Sequence, residues 1–246
     1  MKSIYFLDGL GSNRYYAQRL TSALAVEGYR LIYLPLPGHP DNLAQKIESL
    51  DDLKIWFEAN TPKEDFLLMG FSLGADFAAY LSQQSRYVTR LILLDGGFMT
   101  FDDFSLEQEL ADAQNYLRSE SLKDLEKKLS QEAEMTSFWD EDLALATRYA
   151  YEKKADAYHL KLTEETILNL LAIRRDCLFV IREPHFAVPT LVLLSDSPAD
   201  FLTFKQSQFE KVENKVVRSI VISDSDHQFY LEKASEIATA VAQFCD

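Results

Sequence analysis

The residues best placed to do chemistry begin with Gly70-Phe71-Ser72-Leu73-Gly74. The apolar run Phe66 to Met69 leads into it, and Phe77, Ala78 and Leu81 then recur at helical spacing. That pattern predicts a buried strand, a very tight turn and a helix packing back onto a sheet. A serine at such a turn adopts strained backbone angles. The positions two before and two after it must be small, because strand and helix pass almost in contact. The turn leaves the hydroxyl above the sheet at a helix N-terminus, where backbone N–H groups and the dipole favour developing negative charge. A plain strand-to-helix turn with a capping serine would use similar residues. In a chain with only 8 glycines among 246 residues, the spacing points instead to a serine nucleophile.

A neutral hydroxyl is a weak nucleophile and needs a base within hydrogen-bond reach, itself oriented by a carboxylate. Among the 4 histidines, His227 is the expected base, since it follows a predicted strand and immediately precedes the closing helix. His159 and His185 fall in and after a helical stretch, and His39 lies in a proline-rich loop ahead of the nucleophile. For the acid, Asp196 ends the fifth predicted strand and stands between serine and histidine in chain order. Asp95 ends the fourth and competes with it. Asp200 reads as a capping partner of Ser197, and Asp226 adjoins His227 too closely to orient its ring. Attack on an acyl carbon also needs two N–H donors for the oxyanion. Leu73, just after the nucleophile, should supply one, and Leu10 in the loop Asp8-Gly9-Leu10-Gly11-Ser12-Asn13 the other.

The elements that must position these groups can be read from periodicity. Strands are expected at 3–7, 31–34, 66–69, 91–94, 189–194 and 216–222, separated by helical patterns. One helix is expected to start from an Asp41 cap and run through Leu53 and Phe57; another buries Leu231, Ile237, Val241 and Phe244. This alternation argues for one parallel sheet, with ligands beyond the carboxyl ends of its strands. Every glycine except Gly28 falls at or just past a predicted strand end. From 98 to 188 the pattern changes to successive helical signatures, including the box-like Ser105-Leu106-Glu107-Gln108 and Ser121-Leu122-Lys123-Asp124. The expected organisation is a core of 1–97 and 189–246 with a helical cap insertion at 98–188. Its aromatics Phe138, Trp139, Tyr149, Tyr151 and Tyr158 are available to line a substrate pocket or to pack cap against core.

Composition excludes several classes. With 47% hydrophobic and 26% charged residues the chain can bury a large globular core. A net charge of −14 and no basic stripe make nucleic acid and anionic membranes poor partners. Two cysteines, Cys177 and Cys245, form neither metal spacing nor a disulfide framework. The apolar run before Asp8 is too short for a signal peptide, and none approaches membrane-spanning length. These features fit a cytoplasmic protein with no metal site.

With these residues in place, the chain resembles the α/β-hydrolase family. The resemblance rests on the Ser72 turn, the Asp8-Gly9-Leu10-Gly11 loop, Pro37-Gly38-His39, and Asp226-His227 before a terminal helix. It implies a mainly parallel six-stranded sheet with helices on both faces and a helical cap. It also implies a serine hydrolase without cofactor, cleaving a small ester or thioester through an acyl-enzyme. Ser72 would attack, His227 move the proton, Asp196 or Asp95 orient it, and Leu10 and Leu73 hold the oxyanion. Two departures stand out: the family often has His-Gly where this chain has Asp8-Gly9, and the segment after the fifth strand lacks a glycine and later aspartate often seen there. A ligand-binding protein of the same fold with little turnover, and acyl transfer or perhydrolysis at the same residues, are the alternative expectations.

Overall fold

The computed structural model describes residues 1–99, 106–119, 122–181, 186–212 and 216–245. The chain runs β1 (Lys2–Leu7), α1 (Gln18–Val26), β2 (Tyr29–Tyr33), α2 (Leu50–Asn60), β3 (Phe66–Phe71), α3 (Leu73–Gln84) and β4 (Val88–Leu94). There follow α4 (Leu106–Ser119), α5 (Leu125–Met135), α6 (Glu141–Ala150), β5 (Tyr151–Lys154), β6 (Ala157–Leu160) and α7 (Glu164–Ile181). It closes with β7 (Thr190–Ser195), α8 (Ala199–Phe209), β8 (Val217–Ile222), a short 3-10 turn at Phe229–Leu231 and α9 (Ala234–Cys245).

Six strands form one sheet in the order β2-β1-β3-β4-β7-β8, every pair parallel. Alternation along each strand sends side chains to opposite faces. Ile4, Phe6, Leu67, Met69 and Ile92 meet Leu20 and Leu24 of α1 and Ile237 and Val241 of α9 on one face. Leu7, Leu68, Leu91, Leu93 and Val192 meet Leu53 and Phe57 of α2, Phe77 and Leu81 of α3, and Leu170 and Ile173 of α7 on the other. β3 and β7 are buried along their whole length, as parallel strands covered on both faces must be. The strand order turns back between β1 and β3, which opens a crevice past their carboxyl ends. The loop after β1 and the turn at Ser72 both lie there.

Local differences from the sequence expectations have physical causes. The stretch between β4 and β7 contains an antiparallel hairpin, β5–β6, whose strands span only four residues each and carry mixed polarity. Asp41 does not cap a helix. Its carboxylate pairs with Arg14 at 2.9 Å and accepts from the Arg14 amide at 2.8 Å, while Ser49 caps α2 by accepting from the Asp52 amide. A turn closed by the Asn42 amide on the His39 carbonyl, 2.8 Å away, keeps the chain out of helix at that point. Asp124 caps α5, and Pro198 at the N-cap of α8 provides no side-chain hydrogen bond, so no Ser197–Asp200 box forms. Ser105, Ser121 and His185 lie outside the described residues. Among the described residues no helix is long and apolar enough to cross a membrane.

Candidate active site

Ser72 sits at φ 52° and ψ −120°, a backbone conformation that side chains rarely tolerate. The crossing of β3 and α3 explains why its neighbours are glycines. A Cβ on Gly70 would press into the Gly74 carbonyl and lie 2.6 Å from the Ala75 Cα; one on Gly74 would overlap the Leu7 and Asp8 carbonyls. A side chain at Gly70 would push β3 and α3 apart, and one at Gly74 would push α3 off the end of β1.

His227 reaches Ser72 from the loop after β8, with Nε2 2.9 Å from Oγ. Its Nδ1 lies 2.8 Å from Asp95 Oδ2. An ionised carboxylate can only accept, so the ring carries its proton on Nδ1 and leaves Nε2 to accept from the serine hydroxyl. Three groups from three strand ends thus form one hydrogen-bonded chain. The Phe71 ring packs against the imidazole with centroids 4.9 Å apart, and Tyr230 packs against Phe71 at the same separation.

The acid in contact with the histidine is therefore Asp95, and the structure does not bring Asp196 to the ring. Asp196 accepts from the amides of Asp224 at 2.8 Å and Ser225 at 2.9 Å, hydrogen bonds that hold its carboxyl below the usual value. It stabilises the turn leading to His227 from the solvent side. Asp95 sits at φ 49°, and that positive angle carries its carboxylate under the imidazole. Burial would raise its pKa, but hydrogen bonds from His227 and Lys205 and the charge of Lys205 outweigh burial and bring it below the ordinary value.

Lys205 and Ser195 are site residues that the sequence reading missed. Lys205 is the fully buried residue of α8, on a helix whose Phe201, Leu202, Phe204 and Phe209 pack against the core. Its Nζ donates to Asp95 Oδ1 at 2.7 Å, to the Ser195 carbonyl at 2.8 Å and to Ser195 Oγ at 2.7 Å. The available signal was a lysine placed within an apolar helix stripe, which calls for a buried partner.

On the other side of Ser72, Leu10 is 37% exposed at the tip of the loop after β1 and faces the same crevice. Leu73 is the first residue of α3, where amides have no intrahelical acceptor. The loop bearing Leu10 is braced from two sides. His39 Nε2 lies 3.0 Å from the Gly11 amide and 3.2 Å from the Gly9 carbonyl, and burial lowers its pKa to about 4, leaving the ring neutral at pH 7. Asp8 accepts from the Gly9 amide at 2.8 Å, the Ser12 hydroxyl at 2.6 Å and the Tyr230 hydroxyl at 3.1 Å. Burial raises the Asp8 pKa to about 7 against the pull of those hydrogen bonds.

A cavity of about 500 Å³ opens over Ser72 and His227. Its walls include Gly9, Leu10 and Tyr230 from the core and Tyr116, Tyr151, Leu160, Leu162, Ile167 and Leu171 from the segment between β4 and β7. Of the five aromatics expected as lining, Tyr151 lies there. Phe138 and Trp139 pack against the core, Tyr149 stacks edge-on with Tyr15, and Tyr158 packs near Leu125 and Leu129. A polar patch, Tyr16, Lys128, Glu132 and Thr147, interrupts the apolar wall. Among the described residues no cluster of three or more His, Cys, Asp or Glu side chains could hold a metal ion.

Residues 2–234 match the model of the alpha/beta hydrolase fold family, and the chain belongs to that family. Similar solved structures include E-2-(acetamidomethylene)succinate hydrolase, with a TM-score of 0.72 at 14% identity over 100% of this chain and 91% of that one. The thioesterase domain from the curacin biosynthetic pathway aligns with a TM-score of 0.69 at 19% identity, covering 98% and 90% of the two chains. A lipase-esterase related protein from Clostridium acetobutylicum gives 0.65 at 17% identity, covering 99% and 94%. At these identities the likeness is one of fold. A comparison with curated proteins finds no match.

Proposed function

We propose that the protein is a serine hydrolase that cleaves a small carboxylic ester or thioester through an acyl-enzyme. The observation that carries this reading is the continuous chain Ser72 Oγ–His227–Asp95, at 2.9 and 2.8 Å, at the floor of a cavity. Ser72 Oγ attacks the acyl carbon as its proton passes to His227 Nε2, and Asp95 stabilises the imidazolium. The carbonyl oxygen gains negative charge and is held by the Leu10 and Leu73 amides. Collapse expels the alcohol or thiol, which takes its proton from His227. Water, deprotonated by the same imidazole, then attacks the acyl carbon and releases the acid with Ser72 restored.

A cavity of about 500 Å³ is the size that accepts a small organic substrate. The segment 98–188 acts in this reading as a cap, since it supplies most of the apolar wall. Similar structures that include a thioesterase domain and a lipase-esterase related protein support this substrate class. The test is a panel of acyl esters and thioesters of increasing chain length, assayed beside Ser72→Ala and with a fluorophosphonate probe. Labelling of Ser72 in the folded protein and loss of turnover in Ser72→Ala are expected. An unlabelled serine with undiminished turnover in the variant overturns the reading.

A further inference from the structure

The acid of this site is buried together with a counterion. We propose that Lys205 is a positioning residue that acts through Asp95: it fixes the carboxylate facing His227 and offsets its charge, so that the resting site favours imidazolium less than a lone carboxylate would. The proposal rests on the serine-hydrolase reading above.

The geometry is saturated at both charges. An ammonium has three N–H donors, and Lys205 spends all three on Asp95 Oδ1, the Ser195 carbonyl and Ser195 Oγ. The Ser195 hydroxyl in turn donates to Asp95 Oδ2 at 2.8 Å, and the Ser195 amide to Oδ1 at 3.1 Å. Asp95 thus accepts from Lys205, from Ser195 twice and from His227, which leaves its plane no freedom to turn. Both side chains of the ion pair are 0% exposed. Buried alone, the lysine would shed its proton and the aspartate would gain one; each keeps the other charged. Such pairs are poor stabilisers, since apolar residues of similar volume often serve a core as well or better. A buried ion pair whose carboxylate also touches the catalytic imidazole is therefore better explained by the reaction than by folding.

The surroundings identify the charges that matter. Around the His227 ring stand Asp95 from the end of β4, Ser72 from the β3–α3 turn and the Phe71 ring; on its own loop, Asp226 turns Oδ1 to the Gln228 amide at 2.9 Å. Asp196, half-buried just after β7, accepts from the amide of Asp224, which is exposed on the His227 loop. Behind Phe71, Tyr230 leads to Asp8. Around Lys205 stand Asp95, Ser195 from β7 and the Phe201 ring at 5.1 Å. Removing the ammonium leaves the Asp95 charge uncompensated, so the imidazolium gains and the free base appears only at higher pH.

The experiment measures kcat/KM from pH 5 to 9 on the best ester for the wild type, Ser72→Ala, Lys205→Gln and Lys205→Arg. Lys205→Gln keeps an N–H donor and removes the charge. Its acid limb should move up by about one pH unit, and Lys205→Arg should move it by less. An acid limb of Lys205→Gln superimposed on the wild type, with Ser72→Ala inactive, overturns this proposal and leaves the serine-hydrolase reading standing. Hydrolysis surviving in Ser72→Ala overturns that reading, and this proposal with it. Where a Lys205 variant fails to fold, the wild type labelled with 15N-lysine gives the answer. A solvent-protected Lys205 ammonium resonance should shift across the pH range of the acid limb, and a resonance that stays fixed through that range overturns the proposal.

Discussion

Two buried carboxylates flank Ser72, and they have opposite electrostatic fates. Asp95, under the histidine, and Asp8, under the Leu10 loop, are each almost wholly buried and each accept several hydrogen bonds. Yet Asp95 is held below the ordinary carboxylate range, and burial drives Asp8 up to about 7. What separates them is the hydrogen bond from His227 together with the hydrogen bond and charge of Lys205 on Asp95, whereas Gly9, Ser12 and Tyr230 offer Asp8 only neutral donors. Burial penalises a charge by more than a few neutral hydrogen bonds restore, and an ammonium in contact reverses the balance. Asp95 is thereby fixed as an acceptor over the range where esters are assayed. Asp8 changes charge within that range, while tying the Leu10 loop to Tyr230, close in sequence to His227.

Neutralising each carboxylate in turn should separate the two most strongly. Asp95→Asn should lower kcat/KM by roughly a thousandfold to ten-thousandfold, because an amide lets the imidazole settle in the wrong tautomer. Asp8→Asn should cost less than about tenfold at pH 6, since the native group there is mostly protonated and already neutral. Equal losses would mean that Asp8 touches the chemistry directly.

Stability against pH separates the two more finely, because their signs differ. Asp8 has a folded pKa above its unfolded value, so its contribution is present below about pH 4 and is lost as pH rises through about 7. Asp95 has a folded pKa below its unfolded value, so its contribution is present above the ordinary carboxylate range and is lost as pH falls. Asp8→Asn should flatten the upper slope by up to about 4 kcal/mol between pH 4 and 8, read as urea-unfolding free energy. A slope unchanged in this variant would place the titrating group elsewhere. Tyr230→Phe removes one donor from Asp8 and should cost about 1 kcal/mol near pH 7. It should also move the upper slope to higher pH, since a hydrogen bond that favours the ionised form is gone.

How much of this was legible before folding follows the range of the interactions. The Ser72 turn was legible because its residue spacing is local, with Gly70 in contact with Gly74 and Ala75 across one strand-to-helix crossing, although Gly74 also abuts the carbonyls at the end of β1. The six parallel strands were legible because apolar runs and turn residues mark them one by one. The β5–β6 hairpin was not, since four-residue strands with mixed polarity carry little periodicity. Nor was the choice of acid. Asp95 and Asp196 end neighbouring parallel strands, and chain order favoured the wrong one for contact with His227. What separates them is the positive φ at Asp95 together with a long-range partner, the lysine from α8 that meets it in the core. Lys205 itself showed only as a charge in an apolar stripe.

The smallest expected effect belongs to Asp196, the half-buried carboxylate beside the turn that leads to His227. Its carboxylate holds the Asp224 and Ser225 amides in a turn where Asp224 has φ 52°, just before His227. Asp196→Asn keeps an acceptor for one of those amides, and kcat/KM should change by less than about threefold, as surface substitutions usually do. Asp196→Ala, which keeps neither, should lose somewhat more by loosening the His227 loop, with no displacement of the acid limb. A loss in Asp196→Asn as large as that in Asp95→Asn would show that the two carboxylates exchange places at the histidine during turnover. The contrast between the lysine-paired and the unpaired buried acid would then no longer explain how this site works.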